Sequence, residues 1–226
     1  MLSILKKPTF LLFFLGNITS LIGFGFNLIA VSWLVLSETG SEFALGKIMA
    51  SATVPGLIIS FFTGYIIDKT NRKWLMVFLD IFRIVTISSF LIFLQFNEFK
   101  LIYLYPVVFF MGIGNSLFWS TSQAFTQEIV SEREYFDANK LLSASYQIGS
   151  ILGAGIGGFI VHYYSPFAAL WINVLTYLLS AIFISFAPFK KKVKKEVTFD
   201  KLVELRLAGK NDLVKIFVFS DCALGG

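Results

Sequence analysis

The sequence predicts an all-α membrane protein built on six spanning helices. Composition is the first observation behind this: 56% of the 226 residues are hydrophobic, 17% aromatic and only 15% charged, with 27 phenylalanines. That is too apolar for a soluble globular domain. Run length is the second. A span needs roughly 20 apolar residues, and six stretches qualify, at 9–36, 44–67, 74–96, 101–127, 141–162 and 166–188. The third is charge placement. Lys6 and Lys7, then Lys69, Arg72 and Lys73, then Arg133 and Lys140, and five lysines within 190–195 make twelve cations at alternate joints, against Lys47 and Lys100 at the others. Cations mark the cytoplasmic side, so both ends of the six-helix unit are expected in the cytoplasm of a multi-pass cell-membrane protein.

The same placement accounts for the net charge of +5. The basic residues sit at the ends of apolar runs, where they face lipid headgroups, so the bilayer and not nucleic acid is the expected partner. Cys222 is the one cysteine, which excludes a disulfide framework or a thiolate metal site, and the one histidine, His162, stands beside Tyr163 and Tyr164 as an interfacial residue. No metal and no cofactor is expected. An enzyme is disfavoured because no phosphate loop, metal-ligand spacing or nucleophile with a histidine base occurs. A channel is disfavoured because nothing resembles a filter loop or a ring of like charges.

In chain order, Lys6 and Lys7 precede thirty residues, 8–37, without a formal charge. That is too long for a signal peptide, so the first run reads as a retained helix. Within it Asn17, Ser20, Phe24 and Asn27 recur at helical spacing on one face. Polar amides are costly in hydrocarbon, so this face looks either at a cavity or at hydrogen-bonded neighbouring helices. The second run ends in a charged hinge: Gly64, Asp68, Lys69, Arg72 and Lys73 within ten residues.

In the third run Asp80 and Arg83 are spaced i, i+3 and can pair on one face. Unpaired, each would be costly at that depth. Two readings stay open, a structural ion pair and a proton-coupling role for Asp80. The fourth run sets Asn115, Trp119, Ser122 and Thr126 on one face, a second candidate cavity stripe. Glu128, Glu132, Arg133, Glu134 and Asp137 follow as a self-compensating loop over 131–140.

The fifth run carries Gly149, Gly153, Gly155, Gly157 and Gly158. Small residues every four positions let helix backbones approach closely in a membrane. After the sixth run the composition breaks. Residues 190–212 read as a polybasic and amphipathic cytoplasmic connector, and 213–226 as the start of a seventh apolar helix, too short here to cross.

The hinge resembles the loop 2–3 signature of the major facilitator superfamily, G-x-x-x-D-(R/K)-x-G-(R/K)-(R/K). Asn71 stands where the family has glycine, and asparagine tolerates the left-handed backbone a glycine would adopt. Trp33-Leu34 with Thr39-Gly40-Ser41, Pro55 in the second run, and the Asp80/Arg83 spacing are similar to the macrolide-efflux and siderophore-exporter branch. Gly149, Gly153, Gly157 and Gly158 resemble the drug exporters' antiporter motif, with Ala154 in place of its proline. That replacement removes an expected kink.

The resemblance covers the chain through its connector and implies the N-terminal half of a two-half, twelve-helix fold with substrate bound between the halves. It implies alternating access with efflux of amphiphilic small molecules, a proton as coupling ion, and a latch in which the acid matching Asp68 meets a helix N-terminus of the other half. The chain then reads as truncated. A membrane fragment without transport, or a half-transporter that needs a partner half or a second copy, are the alternatives.

Overall fold

The computed structural model describes residues 4–189. The expected connector at 190–212 and the apolar stretch at 213–226 lie outside the described residues. Six long helices follow a 3-10 turn at Ile4–Lys6: α1 Pro8–Thr39, α2 Glu42–Lys69, α3 Arg72–Phe96, α4 Leu104–Ile129, α5 Glu132–Tyr163 and α6 Pro166–Phe186. No strand occurs among the described residues. All six are long and apolar enough to cross a bilayer. Large apolar side chains such as Phe61, Phe62, Phe96 and Phe186 are exposed on their outer faces. Such faces suit lipid, so this is a multi-pass membrane protein.

Local chemistry sets the helix ends. Pro8 and Pro166 stand at first-turn positions, where a missing N–H costs nothing. Gly40, at φ 57°, ends α1 in the left-handed conformation, its N–H reaching the Leu36 carbonyl at 2.8 Å. Ser41 caps α2 by accepting from the Ala44 N–H, and Ser165 caps α6 by accepting from the Ala168 N–H.

Two expectations are corrected here. Asn71 is not left-handed: at φ −79° and ψ 112° it is the extended N-cap of α3, its side chain accepting from the Trp74 N–H. An N-cap asparagine satisfies an otherwise orphaned donor, which is a sufficient reason for its presence. Nor is 131–140 a loop. Ser131 and Glu134 form a capping box that starts α5 at Glu132, about two turns before the apolar run begins. Polar residues there face water on a helix end, so hydropathy alone placed the boundary too late.

The helices pack in a definite order. α1 lies against both α5 and α6, α3 against both α6 and α4, and α2 mainly against α4. Side chains bury in two apolar cores. One gathers Val31, Val35, Ile87, Leu104, Met111, Leu170 and Tyr177; the other gathers Phe10, Phe13, Met76, Phe125, Leu142 and Ile184. Between them in sequence position, on α1, α3, α4, α5 and α6, fall the polar residues Asn17, Ser20, Asp80, Arg83, Asn115, Ser145 and Ser180. A polar layer sandwiched between apolar ends is costly, so each member needs a partner or a purpose.

Candidate functional site

The polar layer centres on Arg83. This side chain and that of Asp80 are almost wholly buried, and the two are paired. Arg83 also donates to Asn115 Oδ1 and Ser20 Oγ at 3.0 Å each, and to its own helix at the Leu79 carbonyl at 3.3 Å. Ser180 donates to the other Asp80 oxygen at 2.7 Å. The guanidinium lies over two rings, 4.3 Å from the Phe118 centroid and 4.1 Å from that of Tyr177. One ion pair on α3 therefore ties together α1, α4 and α6. The spacing of Asp80 and Arg83 predicted the pair; Ser20, Phe118, Tyr177 and Ser180 around it were not foreseen.

Two cavities open beside this cluster. The first, about 300 Å³, is lined by Ser20, Phe24, Arg83, Asn115, Phe118, Trp119 and Tyr146, with Trp119 and Tyr146 in ring contact at 5.2 Å. The second, about 380 Å³, takes Phe24, Asn27, Asn115 and Ser116 among apolar residues of α1, α2 and α4. Phe24 and Asn115 line both. Aromatic walls with a few convergent polar groups are the usual make-up of a small-molecule site. The Asn27 Oδ1 atom, which has no hydrogen-bond partner among the described residues, belongs to the second cavity's lining.

Asn17 is a correction. It lines neither cavity and is completely buried, donating to Ser145 Oγ at 3.0 Å and accepting from Ser122 Oγ at 3.1 Å. It joins α1, α4 and α5, so helix packing explains its place on that face. Ser122 and Thr126 are likewise buried, so of the four residues of that predicted α4 stripe only Asn115 and Trp119 line a cavity.

The hinge forms a clasp at one end of the bundle. Arg72 donates to the Ala124 carbonyl of α4 at 2.9 Å, with Glu128 at 3.6 Å and Asp68 at 3.7 Å. Lys73 donates to the Ala187 carbonyl at 2.7 Å, at the end of α6. Lys69 meets Tyr65 instead, at 2.6 Å from its hydroxyl. The Asp68 side chain is 79% exposed, so most of it projects away from this bundle. Gly64 has open space where a side chain would stand.

On α5, Gly149, Gly153 and Gly157 face α1, and a Cβ at Gly149 would lie 2.6 Å from that of Leu21. The contact is closest at Gly153, whose counterpart Gly25 would place a Cβ 2.7 Å from its backbone. Gly158 departs from expectation: it has open space around it and takes no part in this seam. A glycine one position on from Gly157 points about 100° away around the helix. The helix itself continues unbroken past Ala154.

One polar face went unread in the sequence. Asn173, Thr176, Tyr177 and Ser180 recur on α6 at i, i+3, i+4 and i+7, all buried. The same periodicity that singled out the faces of α1 and α4 would have found it. Within this face the Tyr177 hydroxyl lies in side-chain hydrogen-bonding range of Asn173 and of Arg83.

Six spanning helices, a buried charge pair and polar-aromatic cavities at its side define a polytopic α-helical membrane protein of the transporter class. The chain belongs to the Major Facilitator Superfamily, whose family profile matches residues 13–224. It is similar to the multidrug efflux pump Tap of Mycolicibacterium fortuitum, 20% identical over 186 residues that cover 80% of this chain and 45% of Tap. It is also similar to BacE of Bacillus subtilis strain 168, named as a candidate bacilysin exporter, at 30% over 140 residues, 60% of this chain and 34% of BacE. A third relative is the uncharacterized MFS-type transporter YfiS of the same strain, at 24% over 148 residues, 66% of this chain and 34% of YfiS. The chain thus spans a third to just under half the length of these relatives.

Proposed function

We propose that this chain supplies one six-helix half, residues 1–189, of a secondary exporter for amphiphilic small molecules in the cell membrane. The observation that carries the reading is the cavity shared by Phe24, Asn115, Trp119 and Tyr146 with Arg83 at its wall. Aromatic rings bind an apolar body with little entropy cost, while the amide and guanidinium orient a polar group. Similarity to proteins named as a multidrug pump and an exporter supports outward transport.

Alternating access needs a second half to rock against, supplied by further polypeptide or by a second copy. The exposed Asp68 carboxylate suits that contact, since a helix N-terminus in the other half would favour it electrostatically. Arg72 and Lys73 hold its hinge to α4 and α6 in the meantime. With basic residues inside, the hinge lies on the cytoplasmic face, together with both ends of the six-helix unit.

The test uses Trp119 as reporter, in a variant lacking Trp33, Trp74 and Trp171. A fluorescent amphiphilic cation bound in the cavity quenches Trp119 by energy transfer and displays saturable binding that Asn115→Ala weakens. Non-saturable quenching, equal in the Asn115→Ala variant, would reflect partition into lipid and reject the cavity.

A further inference from the structure

A third cavity, about 440 Å³, lies between α3 and α4 and shares no lining residue with the two beside Arg83. Val85, Phe93 and Phe110 of its lining are exposed, so it is a groove on the outer, lipid-facing surface. Its α3 residues recur at helical spacing, from Phe82 through Val85 and Ser89 to Phe93. Ring pairs stand at both ends: Phe82 with Phe110 at 6.1 Å, and Phe93 with Tyr103 at 4.9 Å. Between these pairs the walls drop to smaller side chains, Val85, Thr86 and Ser89 on α3 and Pro106 and Val107 on α4. Both hydroxyls there are already engaged. Thr86 donates to the Phe82 carbonyl at 2.8 Å, and Ser89 to the Thr86 carbonyl at 3.0 Å. The groove therefore asks for hydrocarbon.

Its dimensions say what kind. From Phe82 to Phe93 α3 rises about 16 Å, half the roughly 30 Å of a bilayer's hydrocarbon core. Phe82 itself lies about 15 Å along α3 from Arg72, so the groove occupies the leaflet away from the charged hinge. Spread over that length, 440 Å³ leaves a cross-section of roughly 27 Å², against about 80 Å² for a helix 10 Å across. A single flexible chain fits, and a helix from another protein does not. At the far end Lys100 stands one 3-10 turn beyond Tyr103, whose N–H reaches the Lys100 carbonyl at 3.0 Å. Lys100 is exposed and has no ion-pair partner among the described residues. The nearby acid, Glu98, belongs to a separate hollow with Phe167 and Trp171 of α6. A free ammonium and a tyrosine above an apolar slot complement an anionic headgroup. We propose that this groove is a lipid site: it holds one acyl chain of an anionic glycerophospholipid, whose phosphate meets Lys100 and Tyr103. The site stands apart from the transport reading and does not depend on it.

The test takes the full 226-residue chain in phosphatidylcholine nanodiscs doped with a photoactivatable lipid. That probe is phosphatidylglycerol or phosphatidylcholine with a diazirine midway along one acyl chain. After illumination, peptide mass spectrometry should find adducts concentrated on Val85 and Pro106. Phosphatidylglycerol should label them about fivefold more than phosphatidylcholine, the worth of one lysine against an anionic headgroup. Lys100→Gln should level the two lipids. Ser89→Trp fills the groove from an exposed position and should cut these adducts about tenfold, since no second group fits where the indole stands. Leu175→Trp, on the exposed face of α6, should leave them unchanged. If Ser89→Trp does not fold, Val85→Trp fills the same groove, with the count taken at Pro106. Adducts spread over all exposed faces in proportion to exposure would mean ordinary lipid contact and overturn the proposal. So would equal labelling in the filled variant, or a preference for phosphatidylglycerol that survives Lys100→Gln. None of these readouts involves export.

Discussion

The Asn17 amide donates to the Ser145 hydroxyl at 3.0 Å, joining α1 to α5 where both are completely buried. Ser122 completes the junction from α4. Removing the amide leaves the buried Ser122 hydroxyl without its acceptor, while Ser145 keeps its bond to the Leu142 carbonyl, so the cost is about 1–3 kcal/mol. Asn17→Ala is therefore expected to lower the midpoint of thermal unfolding in detergent while leaving ligand affinity in the folded fraction unchanged. A shifted ligand profile at unchanged stability would return Asn17 to the cavity.

The Asp80–Arg83 pair carries a different expectation. Breaking a buried pair from one side leaves an uncompensated charge, costing about 3–5 kcal/mol. Arg83→Met alone should be strongly destabilising, and the double variant with Asp80→Leu much less so. A double-mutant cycle on unfolding measures the coupling. Additive effects would mean that the two charges are stabilised separately.

The glycine seam separates residues that look equivalent in the sequence. Gly153→Leu should force α1 away from α5 and reduce folded yield severely, because backbone stands where the side chain must go. Gly158→Ala, with open space around it, should fold normally and gain slightly, given that glycine costs about 1 kcal/mol in a helix interior. Size-exclusion profiles of the two variants make the comparison. Equal behaviour would contradict the assignment of one to the seam and the other outside it.

The capping box sets the start of α5. Loss of an N-cap costs about 1 kcal/mol, so Ser131→Ala should fray the first turns of α5 and speed amide exchange over 132–140. Unchanged exchange there would show that packing, not the cap, holds this end.

These cases mark how far the sequence could be read. The six helices were legible because run length and apolarity are local properties, and Asp80 with Arg83 was legible because two charges at i, i+3 in a span must find each other. Family membership was legible in the hinge and glycine motifs. The role of Asn17 was not. Asn17 and Asn115 both lie on polar helix faces, and only the arrival of Ser145 from a distant helix decides that one is sealed while the other borders a cavity. The start of α5 was missed because its first turns face water, and the expectation for Asn71 because a turn position and an N-cap draw on the same residue types. The α6 face from Asn173 to Ser180 was present in the spacing and simply lacked a charge to draw attention.

Accumulation of a macrolide and of a fluorescent cation, in cells without their own efflux pumps, tests the central claim most directly. The 226-residue chain is expressed with verified membrane insertion, beside Asp68→Asn and Trp119→Ala variants that insert equally well. An exporter half able to assemble lowers accumulation of at least one probe; an uncoupler and Asp68→Asn abolish the effect, and Trp119→Ala alters it. Lowered accumulation that persists in both variants would contradict the latch and cavity assignments. Accumulation equal to that of empty cells for both probes would contradict transport by this chain.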